Sequence, residues 1–142
     1  MLTIKQKQFD QLNDVMDDAF ELRLVEAIAK ALVDVADRFK DGELRELVHT
    51  SRERAAMLSI TADADVAVFA VFVVASSRFN KEEGAQFRAW VVPFLQRESS
   101  AGRARIALAE RSLRGKAAEH ALAARMCAMV DSVRSAFVAR TV

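Results

Sequence analysis

The chain has 142 residues, 52% of them apolar and 29% charged, with four glycines, one proline and no tyrosine. That length supports one domain with a sizeable core, and the composition excludes both a disordered chain and a turn-rich all-β fold. The net charge of +1 hides an asymmetry, since residues 1–75 carry 14 acidic and 9 basic side chains and residues 76–142 carry 6 and 12.

Thr3 and Gln6 fit a capping box opening a helix, and Phe9, Leu12, Met16, Phe20, Leu24, Ile28, Leu32 and Val35 extend it as one apolar stripe. Asp10, Asp14, Asp17 and Glu21 follow the opposite face at helical spacing, which reads as a solvated face or as an acidic surface for a basic partner. Gly42 can take the positive φ that ends this helix. A second helix over about Glu43 to Leu58 turns Leu44, Leu47, Val48, Ala55 and Leu58 inward. Thr61 is a good N-cap for a third, whose first turn holds Asp63 and Asp65 at the positive end of the helix dipole.

That third helix contains Val66 to Ala75, ten consecutive apolar residues rich in Val and Phe. As a strand it would have two apolar faces and need a partner strand, and the chain offers none. As a helix its β-branched residues cost tenths of a kcal/mol each, which burial at roughly 1.5–3 kcal/mol per large side chain offsets. Phe87, Trp90, Val91, Phe94 and Leu95 then mark a fourth helix, with a kink or restart expected at Pro93. Ser99 to Gly102 reads as a linker. From Arg103 a long C-terminal helical region carries Ile106, Ala109 and Leu113, falters near Gly115, and resumes as a stripe of Leu122, Met126, Met129, Val133 and Phe137. The expectation is an all-α, single-domain bundle of about five helices over residues 1–142, with an almost wholly buried central helix at about 62–78. Residues 100–142 form a C-terminal helical extension suited to the bundle, to a partner or to a second copy.

The N-terminus lacks the apolar core and cleavage pattern of a signal peptide, and no apolar run approaches the roughly 18 residues of a membrane span. A cytoplasmic protein with no membrane span is expected. One cysteine, Cys127, excludes an intramolecular disulfide framework; beside Met126 and Met129 it reads as adaptable packing before soft-metal chemistry.

Glu46 and His49 form an ExxH, the spacing that supplies two ligands in di-iron bundles. Such a site needs a second ExxH and two more inward glutamates, and His120 has no glutamate at that spacing, so His49 reads as structural. No hydrolase elbow, Walker loop, dinucleotide fingerprint or zinc spacing is present. The expectation is therefore a non-enzymatic protein with no cofactor or metal. Arg103, Arg105, Arg111, Arg114 and Lys116 form a basic span opposed only by Glu110. It could meet phosphates, but it lacks aromatics for base stacking and no recognition helix is evident, so a solvated face or a docking surface for an acidic protein is favoured over nucleic acid.

Phe20-Glu-Leu-Arg-Leu-Val25, Leu44-Arg-Glu-Leu-Val48 with Ser51 and Arg54-Ala55, Ile60-Thr61 with Asp65-Val66 and Phe69, Phe79-Asn80 and Trp90 occur in this order. Together the motifs resemble a family of small all-helical proteins encoded in bacterial type VI secretion loci, beside genes for spike-tip proteins, effectors and effector chaperones. The match spans roughly residues 1–108. Ser59 stands where that pattern has glycine, Ser76 and Ser77 replace a glycine, and the tail from about Ser112 lies beyond it. The resemblance implies an adaptor or co-chaperone for effector loading, binding an effector, its chaperone or a spike component. It brings no catalytic residues. An immunity-type inhibitor, using the acidic face of the first helix against a basic toxin cleft, is the alternative. A homo-oligomer joined through Met126, Met129, Val133 and Phe137 is another.

Overall fold

The computed structural model describes residues 4–31, 39, 42–78, 81–96 and 102–137, with side chains from residue 18 onward apart from Arg78. Thr3, Leu32, Val35, Phe79, Asn80 and Ser99 to Ala101, each used in the sequence reading, lie outside the described residues. Six helices make up the described chain: α1 (Ile4–Ala31), α2 (Glu43–Met57), α3 (Asp63–Arg78), α4 (Lys81–Leu95), α5 (Gly102–Lys116) and α6 (Ala121–Ser135). The described residues contain no strand, and among them no helix is long and apolar enough to cross a membrane.

The Val- and Phe-rich stretch is helical. Of Val66 to Ala75 all but Val73 are buried, and α3 packs against α2, α4, α5 and α6. With neighbours on so many sides it needs no polar face, which is why no helical periodicity is visible in its sequence. The Phe72 and Phe87 rings meet at 5.6 Å between α3 and α4. At the end of α3 the Ser76 and Ser77 hydroxyls donate to the carbonyls of Val73 and Val74, at 3.1 and 2.8 Å.

Gly42 has φ 85° and stands at the N-cap of α2, its carbonyl accepting the Glu46 N–H at 3.0 Å. The other end of α2 closes in a Schellman arrangement. Ile60 N–H donates to Ala55 O at 2.8 Å and Ser59 N–H to Ala56 O at 3.0 Å. Such a closure needs a left-handed residue between them, and Ser59 takes it, with φ 61°. Ile60 and Ala55, the two positions of the apolar contact that accompanies this motif, are both buried in the core. Gly102, the first residue of α5, is pressed against this turn: a Cβ there would lie 2.0 Å from the Ser59 carbonyl oxygen. Gly102 is therefore the packing point between α5 and the α2–α3 turn, and it belongs to a helix where the sequence suggests a linker.

Two further features refine the sequence reading. Pro93 does not restart a helix: it falls in the last turn of α4, which runs on to Leu95, and it forfeits the bond to the carbonyl of Ala89. The long C-terminal helical region is two helices. Its break follows Gly115, through a turn in which His120 N–H donates to Lys116 O at 2.9 Å. His120 is extended at the N-cap of α6, and its ring lies 5.3 Å from that of Trp90.

Candidate functional site

Two carboxylate-centred clusters stand out, one between α1 and α2 and one between α5 and α6. In the first, Glu21 is only 3% exposed. Its carboxylate accepts from His49 Nδ1 at 2.6 Å and Arg52 Nε at 3.0 Å, while His49 Nε2 faces Glu53 at 2.7 Å. Arg45 reaches Asp18 at 3.6 Å on the outer edge. Both imidazole nitrogens thus point at carboxylates. A neutral ring would set a lone pair against one of them, whereas an imidazolium donates to both. The hydrogen bond from Glu21 is the largest influence raising the His49 pKa above its ordinary value, followed by the Glu21 charge. His49 meets Glu21 and Glu53 and not Glu46, the other half of the ExxH, in keeping with a structural histidine. Ser51, whose hydroxyl donates to Leu47 O at 2.7 Å, is not available to the imidazole as a nucleophile. The cluster therefore ties α1 to α2.

The second cluster forms one wall of an open groove of about 450 Å³ lined by Asp65, Arg103, Ile106, Ala107, Glu110, Arg111, Arg114 and Arg134. At about 100° per residue, Arg103, Ala107, Glu110, Arg111 and Arg114 share one flank of α5, and Ile106 and Leu113 turn into the core. Arg105, about 200° round from Arg103, lands on the opposite side. There its guanidinium donates to Leu95 O at 3.0 Å and caps the C-terminus of α4.

Glu110 is 8% exposed and is the charge centre of the wall. Arg134 of α6 pairs with it directly, and Arg114 approaches it at 3.5 Å. Arg114 also bonds both carboxylate oxygens of Asp131, at 2.5 and 3.4 Å, a hydrogen bond that pushes its pKa further up and keeps it charged. The antiparallel register of α5 and α6 follows from these pairs. Arg114 and Arg134 are thereby matched by carboxylates. Arg103 and Arg111 are exposed, and among the described residues no ion pair engages either. The groove wall carries four guanidinium groups against two carboxylates.

The residues singled out in the sequence separate accordingly. Arg103, Arg111 and Arg114 come together, and Arg105 does not join them. Asp10, Asp14 and Asp17 lie outside the described side chains. Glu21, expected on an exposed acidic face, is instead buried and neutralised by His49 and Arg52. Met126, Met129, Val133 and Phe137, expected as a surface for a partner or a second copy, belong to this chain's own core: Met126 and Val133 are 0% exposed. Phe137 sits edge-on to Phe20 at 5.3 Å with Arg23 above its ring. Cys127 is buried with them, and burial pushes its thiol pKa up. Among the described residues no cluster of His, Cys, Asp and Glu could hold a metal ion.

The sequence reading missed Arg134 and Asp65 as members of the groove. Glu110, the lone acid in a basic span, was the available signal: four residues from Arg114, it invites a helical ion pair and a second cation from a neighbouring helix. No protein-family model, curated protein or solved structure matches the chain.

Proposed function

We propose that the protein is a non-catalytic binding module, an adaptor or co-chaperone that holds a protein partner through the α5 groove. The observation that carries this reading is the pair of exposed arginines, Arg103 and Arg111, without an ion pair among the described residues, on a groove whose other two guanidinium groups, Arg114 and Arg134, are already paired. Exposed guanidinium groups fixed on a rigid helix recognise carboxylates by charge-assisted hydrogen bonds. The resemblance to proteins of type VI secretion loci supplies the setting: the partner would be an effector, an effector chaperone or a spike component, met in the bacterial cytoplasm. In that setting the bundle around α3 is the scaffold and the flank of α5 the working face.

Co-expression with the products of the adjacent genes, followed by affinity purification and size exclusion, tests this. The expected outcome is a stable complex with one of them. A chain that elutes alone in every pairing refutes the adaptor role. The immunity alternative has lost one of the four acidic residues on which it stood, since Glu21 is buried.

A further inference from the structure

We infer that the occupant of the α5 groove is an acidic amphipathic helix of the partner protein, two of whose carboxylates, seven or eight residues apart, meet Arg103 and Arg111. The inference rests on the protein-binding reading above and adds the chemistry and spacing of what is bound.

The two arginines are eight residues apart on α5, which at 1.5 Å rise per residue sets them about 12 Å apart along the axis. Midway between them is Ala107, exposed and short, with buried Ile106 beside it. A low apolar saddle between two cations lets a second helix approach closely, seat one apolar side chain on Ala107, and place acids at both ends. A helix lying nearly parallel or antiparallel to α5 presents residues seven apart at about 10.5 Å, within the reach of two flexible arginine side chains.

Nucleic acid fits less well. Asp65 and Glu110 stand in the same groove and oppose a continuous polyanion, and none of the described residues that line it is aromatic for base stacking. Two free guanidinium groups are also few beside the six to ten phosphate contacts, roughly, of a nucleic-acid binder. A peptide can place its carboxylates where the arginines are and leave the stretch facing Asp65 and Glu110 uncharged.

The probe is a fluorescein-labelled, alanine-based helical peptide of about 20 residues, with two glutamates seven apart and a leucine between them. Binding to the full-length protein is followed by fluorescence polarisation at about 50 and about 200 mM salt. Saturable binding is expected, weakened by salt and by replacing both glutamates with glutamine. The protein variant Arg103→Glu/Arg111→Glu should lose at least about tenfold in affinity, while Arg88→Glu, on α4 outside the groove, should lose none. Circular dichroism checks the fold; if the double reversal does not fold, Arg103→Gln/Arg111→Gln should still lose at least about threefold. Absence of binding, equal binding of the glutamine peptide, or unchanged binding by the double variant overturns the inference. So does a single-stranded oligonucleotide that binds more tightly and is lost in the same variant. A partner that co-purifies equally well with the double variant would leave the adaptor reading standing and remove the groove. Peptide binding with no co-purifying partner would do the reverse.

Discussion

Replacing Gly102 by alanine tests the packing that sets α5, and with it the groove, against the rest of the bundle. The new Cβ would lie 2.0 Å from the Ser59 carbonyl oxygen, 2.4 Å from its carbon and 2.6 Å from the Ile60 nitrogen. All three are backbone atoms of a hydrogen-bonded turn, so no side chain can rotate away. Restoring an ordinary contact moves the start of α5 outward by roughly 1.4 Å, and overpacking of this kind costs about 1–3 kcal/mol. Alanine's better helix propensity returns at most about 1 kcal/mol, less at a first helical residue. A net loss of about 1–2 kcal/mol is expected, a fall in Tm of roughly 3–8 °C for a chain of this size. Gly115, in the same helix, provides the opposite sign: nothing lies within 4 Å of its added Cβ. Gly115→Ala should raise stability by about 0.5 kcal/mol. Thermal melts and urea titrations with unchanged m-values measure both. A Gly102→Ala protein as stable as the parent, or the two substitutions shifting Tm in the same direction, would refute the close approach of α5 to the Ser59 turn.

Ser59→Gly relieves a left-handed residue in a Schellman closure and should stabilise by about 0.5–1 kcal/mol, read as a higher urea midpoint. Met129→Asp combined with Val133→Asp puts two unpaired charges into the core at several kcal/mol each, comparable to the whole stability of a domain. Loss of the far-UV helical signal is expected, whereas a folded, monodisperse double variant would mean the stripe is not core. The His49 pKa is raised in the folded state, so its stabilisation is complete below the unfolded value of about 6.5 and is lost as pH rises through the higher folded value. Urea midpoints of the parent minus those of His49→Gln should therefore shrink from about pH 6.5 upward; a difference that grows with pH would contradict the geometry of Glu21 and Glu53 about the ring.

The helices were legible wherever one face met solvent, because apolar spacing then reports the buried side directly. Hence α2 was placed to within a residue at its C-terminus, from Glu43–Leu58 read in the sequence to Glu43–Met57 in the structure. The break after Gly115 was legible too, though not that it divides two full helices. Less legible was what a stripe packs against. Met126, Met129, Val133 and Phe137 have the same spacing whether they face a second copy or the α1 side of their own bundle, where Phe137 meets Phe20. Of the acidic face only Glu21 is among the described side chains, and it departs from expectation for a related reason: it sits at the edge of the α1 stripe, and its burial depends on His49 and Arg52 arriving from α2. Of the basic span, three of four arginines came together because helical geometry alone puts Arg103, Arg111 and Arg114 on one flank. The same geometry, applied strictly, separates Arg105.

The charge asymmetry of the sequence bears on which surface is free to bind. If the acidic first half and the basic second half neutralised one another, their ion pairs would cross between the halves. The pairs that organise the two clusters do not: Asp18 with Arg45 and Glu21 with His49 and Arg52 join residues of the first half. Glu110 with Arg114 and Arg134, and Asp131 with Arg114, join residues of the second. Each half satisfies its own buried carboxylate, as it must, because a buried charge without a close partner costs several kcal/mol. Glu110 already holds Arg114 and Arg134, and these form a rigid wall whose charge is spent. What is left over on that flank is Arg103 and Arg111, separated by Ala107. A partner that brought only apolar surface would have to strip water from both guanidinium groups without replacing it, whereas one that brought two carboxylates at matching spacing would not.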